Sequence, residues 1–210
     1  NIFLPDLEPD VEILVLIQNP DGILDVPVPQ RPDVRVVNVP SYGVAKSRNV
    51  AIREARGEYL VFADDDIRFI SEGLRSVIHH LESHTCDLVL GQAVGDDGQL
   101  RKKYPNRTES LNLFNSARAA TYEMVVRVDA VQSRKVTFDE NFGAGVTNYL
   151  GDEYIFIVDL LRAGSSADFL PITLAQHPTH SSGSGWGSKR DLRARARVFT
   201  RVFGPLAPVI

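Results

Sequence analysis

Cysteine is nearly absent from this chain. The 210 residues hold one, Cys86, with a single methionine and a single tryptophan. One thiol excludes an internal disulfide and any multi-cysteine metal centre, and it fits a reducing compartment. No apolar run approaches the roughly 18 residues that span a bilayer. Residue 1 is an asparagine and opens neither a signal peptide nor a transit peptide. An excess of one charge is missing too: 27 acids against 23 bases leave a net charge of −4, so nothing favours nucleic acid as a partner. No Gly-x-Gly-x-x-Gly opens a helix after a strand, and no Walker lysine motif exists, which argues against a hydride-transfer Rossmann domain or a P-loop enzyme. No internal repeat is present.

What is there is ordinary in bulk and pointed in detail. With 43% hydrophobic and 24% charged residues, the chain has the composition of a globular domain with a substantial core. A proline-bearing lead-in over 1–10 precedes a β-branched run, Val11–Ile17, which predicts a strand. Asn19-Pro20-Asp21-Gly22 is a turn: proline presets φ, aspartate accepts local bonds and glycine accepts positive φ. Residues 23–33 read as loop and Val34–Val39 as a second strand. Apolar spacing predicts a helix from about Gly43 to Arg56, capped by Ser41, and another from Ser71 to His84. Further strands are expected at 87–94, 123–128 and 169–175, the last interrupted by Pro171 and so expected at an edge. Residues 101–107 read as a basic, mobile segment. Gly151-Asp152-Glu153 opens a helix to about Ala163, and a basic helix closes the chain. Strands alternating with helices argue for an α/β fold.

Four stretches can carry chemistry. Glu58–Asp66 is a short apolar strand, expected to be buried on both faces, that ends in Asp64-Asp65-Asp66. Three adjacent acids need a cation, a hydrogen-bond network or open water. Oxygen ligands at the carboxyl end of a strand suit Mg²⁺ or Mn²⁺; the plain alternative is a solvated turn. Upstream, Gly43, Lys46 and Arg48 sit in the first turns of a helix, where free N–H groups and added cations favour a diphosphate. Asp152 and Glu153 are either partners of a helix dipole or a general base. His177, just past a strand, is either a surface imidazole or a metal ligand.

In this order the stretches resemble the family 2 glycosyltransferases of the GT-A fold. The resemblance rests on Gly43-Val44-Ala45-Lys46-Ser47-Arg48-Asn49 running through Ala55-Arg56-Gly57-Glu58-Tyr59 to Asp64-Asp65-Asp66. It continues in Phe138-Asp139-Glu140-Asn141-Phe142-Gly143, Gly151-Asp152-Glu153, Leu161-Arg162-Ala163-Gly164 and His177-Pro178. It implies a GT-A-like three-layer α/β fold with a mostly parallel mixed central sheet flanked by helices. It implies a metal-dependent, inverting transfer of sugar from a nucleotide-sugar donor, most simply a UDP-sugar, to a saccharide or lipid-linked hydroxyl in polysaccharide or glycolipid synthesis. Asp66, Asp64 and His177 would hold Mn²⁺ or Mg²⁺. Asn19 and Asp21 would face the base, Gly43, Lys46 and Arg48 the diphosphate, and Asp64 and Asp65 the ribose or sugar. The family's acidic pair is inverted here, so Asp152 and Glu153 both stand as the base. The family's opening strand has no counterpart, since Val11–Ile17 matches its second.

Two rival readings remain at this stage: a nucleotidyltransferase that makes nucleotide sugars, and a non-catalytic nucleotide- or sugar-binding module. Residues 1–187 are expected to form the transferase domain and 188–210 a basic helical extension. That extension is either solvated or a peripheral contact with the inner face of a membrane, in a cytoplasmic protein of undetermined oligomeric state.

Overall fold

The structure, a computed structural model, describes residues 10–22, 30–178 and 188–209. The lead-in over 1–9, the loop at 23–29 and the Gly/Ser-rich stretch holding His180 and Trp186 lie outside the described residues, as does any strand before Val11.

Two parallel strands begin the fold, β1 (Ile13–Gln18) and β2 (Val34–Val39). Helix α1 (Val44–Glu54) follows, then β3 (Tyr59–Val61), β4 (Arg68–Phe69), α2 (Ser71–Ser83), β5 (Leu88–Val94) and β6 (Glu109–Ser110). The remainder is β7 (Met124–Arg127), α3 (Val128–Arg134), α4 (Asp152–Arg162), β8 (Ala167–Gln176) and α5 (Lys189–Phe203). The main sheet runs β3-β7-β5-β8-β4, with β6 also on β8. The α/β class and the mixed central sheet flanked by helices are as expected. Parallel pairing is less extensive than expected: among the described strands it joins β1–β2 and β5–β8, whereas β3–β7, β5–β7, β4–β8 and β6–β8 are antiparallel.

Strand alternation builds the layers. Leu88 and Leu90 of β5 and Met124 and Val126 of β7 face Ile52 of α1 and Phe156 and Ile157 of α4. Val89 and Val125, on the other side of the same strands, join Val77 and Leu81 of α2. A third cluster joins α4 to α5 through Tyr154, Ile155, Val158, Val198 and Val202. Arg201 reinforces that seam, bonding Asp139 at 2.8 Å and Asp159 at 2.7 Å.

Four local expectations are corrected. β3 is an edge strand with Tyr59, Leu60 and Val61 only half-buried, because its outer side has no strand partner in the main sheet. β8 is interior despite Pro171: the register with β5 slips between Leu90 and Gln92, and an exposed proline at such a bulge costs no ladder bond. Ser41 does not cap α1; Gly43 holds that position, with no side-chain cap. Residues 101–107 are anchored rather than mobile, since Lys102 pairs with buried Glu123 at 2.7 Å and the Tyr104 hydroxyl donates to the same carboxylate at 2.6 Å.

Candidate active site

The site forms where α1, the turn after β3, α4 and the end of β8 meet. Gly43 has φ +114°, which turns its N–H onto the Gln18 side chain at the end of β1, 2.9 Å away. The next amide, Val44, donates to the Ala144 carbonyl at 3.0 Å. Two of the first N–H groups of α1 are therefore satisfied from within the protein, which narrows the room for a phosphate at this helix start. Asp21 accepts from the exposed Tyr42 hydroxyl at 2.9 Å. Asn19 sits in the adjoining turn, where its carbonyl accepts from Gly22 at 3.2 Å.

Arg48 is the hub. One guanidinium nitrogen bonds Asp152 at the start of α4, and the other lies 3.8 Å from Asp64. The partners of Arg48, expected near the diphosphate, are thus carboxylates. Next to it, buried Asn49 clamps the Phe138 backbone, accepting from its N–H at 2.7 Å and donating to its carbonyl at 3.0 Å. The Phe138 ring in turn stacks on Phe156 of α4 at 4.2 Å. This fixes α1 against α4 and sets the reach of Arg48. The loop between them needs glycine at 143. Its φ is +100°, and a Cβ there would lie 2.8 Å from the Asp152 carboxyl carbon.

The two members of the acidic pair differ. Asp152 is buried and ion-paired. Glu153 keeps partial access to solvent. Burial of its carboxyl, then the neighbouring Asp152 charge, push its pKa up to about 8, against a smaller opposing pull from Arg48. A carboxyl held near neutrality can take a proton from an attacking hydroxyl.

Asp64, Asp65 and Asp66 form an open turn closed by the Ile67 amide on the Asp64 carbonyl at 3.3 Å. Half of the Asp64 side chain and nearly half of Asp66 face solvent. His177 is buried, and its Nε2 lies 3.9 Å from an Asp66 oxygen. Its Nδ1 lies 2.8 Å from the Pro178 carbonyl. A carbonyl only accepts, so Nδ1 donates here and Nε2 is left facing Asp66, as in a metal-binding imidazole. An imidazole nitrogen and a carboxylate oxygen at this separation are ligand types that can share a divalent cation. Asp64, the third expected ligand, lies 3.8 Å from Arg48. Lys46 is half-buried on α1.

Two residues escaped the sequence reading. Arg101 donates to the Pro178 carbonyl at 2.7 Å, and Tyr122 packs its ring 5.0 Å from that of His177. Burial, then the Glu123 charge, push the Tyr122 hydroxyl up to about 12. Neither lies in a recognisable motif, so only the fold could reveal them. A cleft of about 470 Å³ lies away from the acidic turn, between Asn49, Glu140, Asp159 and Arg201; it contains none of Asp64–Asp66, Asp152 or Glu153.

An α/β domain with an acidic turn after an edge strand and a carboxylate pair opening a facing helix is the layout of a GT-A fold. The chain belongs to glycosyl transferase family 2, whose sequence profile matches residues 8–143. That span includes the acidic turn and ends at Gly143, before Asp152 and Glu153. Crystal structures of S. aureus TarS share the fold. TarS 1–349 in complex with UDP-GlcNAc aligns with a TM-score of 0.60 at 17% identity, over 82% of this chain and 51% of that one. The complex with UDP gives 0.58 at 16% identity, over 82% and 49%. TarS 1–349 alone gives 0.60 at 13% identity, over 93% and 66%. The chain therefore spans about half the length of the ligand-bound TarS structures. No curated protein sequence matches it.

Proposed function

We propose that this chain is a metal-dependent, inverting glycosyltransferase that takes sugar from a nucleotide-sugar donor, with a UDP-sugar as the favoured form. The observation that carries this reading is the position of Arg48, whose single guanidinium touches Asp152 and approaches Asp64. The acidic turn and the base-bearing helix are thus one site, as direct displacement requires. UDP-GlcNAc and UDP in the related TarS structures support the donor class.

Asp66 and His177 would hold Mn²⁺ or Mg²⁺, with Asp64 and Asp65 toward the ribose and sugar and Asn19 and Asp21 toward the base. When bound, the ion supplies positive charge to the departing diphosphate. Glu153 takes the proton of the acceptor hydroxyl. The hydroxyl oxygen bonds the anomeric carbon as the bond to the diphosphate breaks on the opposite face, which inverts the centre. Asp152 serves by holding Arg48, and Gly43 and Lys46 shape the edge where the diphosphate leaves. A saccharide or lipid-linked acceptor in polysaccharide or glycolipid synthesis fits this chemistry.

A panel of nucleotide sugars, read by released nucleotide with and without chelator, tests the proposal. Release from at least one donor, abolished by chelator and restored by Mn²⁺ or Mg²⁺, is expected. Chelator-insensitive release would remove the metal role, and no release from any donor would remove the proposal.

We also infer peripheral contact with an anionic membrane on its cytoplasmic side. Among the described residues no helix is long and apolar enough to cross a membrane. However, α5 exposes Leu192 and Phe199 in line with Phe203, on which exposed Phe114 stacks at 5.5 Å. Exposed Lys189, Arg193 and Arg197 border this stripe, and their charge complements anionic headgroups. Binding to anionic but not neutral vesicles, lost in a Leu192→Ser, Phe199→Ser double variant, is expected. Equal binding to neither, or concentration-dependent dimers without lipid, would assign the stripe elsewhere.

A further inference from the structure

A second cluster of metal-binding side chains lies at the other end of the sheet. His80 is on the last turns of α2, Cys86 just precedes β5 and Asp168 is near the start of β8. Among the described residues, these three alone among histidine, cysteine and acidic side chains bring three ligand atoms within 4.8 Å of one another. Asp168 opens the strand that His177 follows, so the cluster is roughly 25–30 Å from the acidic turn at about 3.3 Å per strand residue. The proposed transfer does not use it.

The donor set is selective. Imidazole, thiol and carboxylate together suit Zn²⁺ and do not suit Mg²⁺ or Ca²⁺, which favour oxygen alone. The His80 Nε2 lies 3.1 Å from an Asp168 oxygen. Two ligands on a tetrahedral zinc ion, with bonds of about 2.0–2.1 Å, lie about 3.3 Å apart. The remaining Asp168 oxygen accepts from the Ser110 hydroxyl at 3.1 Å, an outer contact of the kind that orients metal-binding carboxylates. Cys86 is buried, and its thiol points at the Leu88 carbonyl at 3.0 Å, a weak bond that a metal–sulfur bond would replace. His84 stacks on His80 at 4.1 Å, and a water would complete the four ligands of a tetrahedral ion.

We propose that His80, Cys86 and Asp168 form a structural Zn²⁺ site that ties the end of α2 to the starts of β5 and β8. Binding forms a zinc–thiolate bond and releases the Cys86 proton to solvent. No electron is transferred. The role is to add a metal link to three elements already joined here by the β5–β8 ladder and by the Ser166 bonds to Thr85 and Asp87. That predicts zinc-dependent stability rather than zinc-dependent chemistry.

Co²⁺ added to the full chain, freed of metal by chelator, tests this directly. The expected result is one equivalent of Co²⁺ giving the intense near-ultraviolet absorption of a cobalt–thiolate bond, displaced by stoichiometric Zn²⁺. The band should vanish in Cys86→Ala, weaken at least tenfold in apparent affinity in Asp168→Asn, and survive unchanged in Asp66→Asn, which separates it from the proposed catalytic ion. Zn²⁺ should also raise the melting temperature of the wild-type chain but not of Cys86→Ala. No thiolate band in the wild-type chain overturns the proposal whether or not the variants fold, and so does a band that persists in Cys86→Ala.

Discussion

Two groups of carboxylates face each other across Arg48, and they are built in opposite ways. Asp64, Asp65 and Asp66 sit on an open turn, with nearly half or more of the Asp64 and Asp66 side chains in water. Asp152 and Glu153 open a helix inside the fold, with Asp152 buried under an arginine and the Glu153 carboxyl pushed up by desolvation and the Asp152 charge. Exposed acids keep their charge at little cost and remain available to an arriving cation. Buried Asp152 is neutralised by Arg48, and half-buried Glu153 retains its proton to higher pH than a free carboxyl. In the proposed reaction carboxylates would serve two tasks, and burial would decide which.

Separating the two groups by substitution should give effects of unequal size. Asp66→Asn removes the carboxylate opposite His177, and we expect donor turnover to fall about 10³-fold in an assay of released nucleotide, given the several kcal/mol that such ions supply. Glu153→Gln should lower kcat about 10²–10³-fold while donor binding by calorimetry stays near wild type. In the wild-type chain, kcat/KM should climb with pH through about 8, where Glu153 loses its proton. Stability should move the other way. The folded state binds this proton more tightly than the unfolded chain, so that contribution is complete below about 4.5 and is lost as pH rises through about 8. Glu153→Gln should therefore match the wild-type melting temperature near pH 4 and exceed it near pH 9.

Arg48→Met attacks the boundary between the groups. It leaves Asp152 buried without its partner, so a loss of about 3–5 kcal/mol in denaturant titration is expected, with a smaller loss in Asp152→Asn, Arg48→Met together. The smallest effect should come from Asp65→Asn. The residue is exposed, and a several-fold rise in donor KM with unchanged kcat would fit a contact with the sugar or ribose.

The sequence made the local parts of this picture legible and left out the pairings. The strand before the acids, the helix after Gly43 and the carboxylates at the start of α4 follow from periodicity and turn residues close in the chain. Position in the sheet does not. Pro171 suggested an edge because proline breaks a ladder, yet a bulge opposite Gly91 absorbs it within an interior strand. The apolar run at Leu60 suggested full burial, yet β3 is the edge. The different surroundings of Asp152 and Glu153 were not legible because Arg48 lies 104 residues upstream of its partner Asp152. Arg101 and Tyr122 were invisible for the same reason: their relation to His177 exists only after β5, β7 and β8 have paired.

The division of labour between the two carboxylate groups is tested most directly by titrating Mn²⁺ and UDP together into three proteins and following bound Mn²⁺ by paramagnetic resonance. The account predicts that the wild-type chain and Glu153→Gln bind the Mn²⁺–UDP pair alike, that Asp66→Asn does not, and that both variants lose sugar transfer. Loss of Mn²⁺–UDP binding in Glu153→Gln, or its retention in Asp66→Asn, would contradict it.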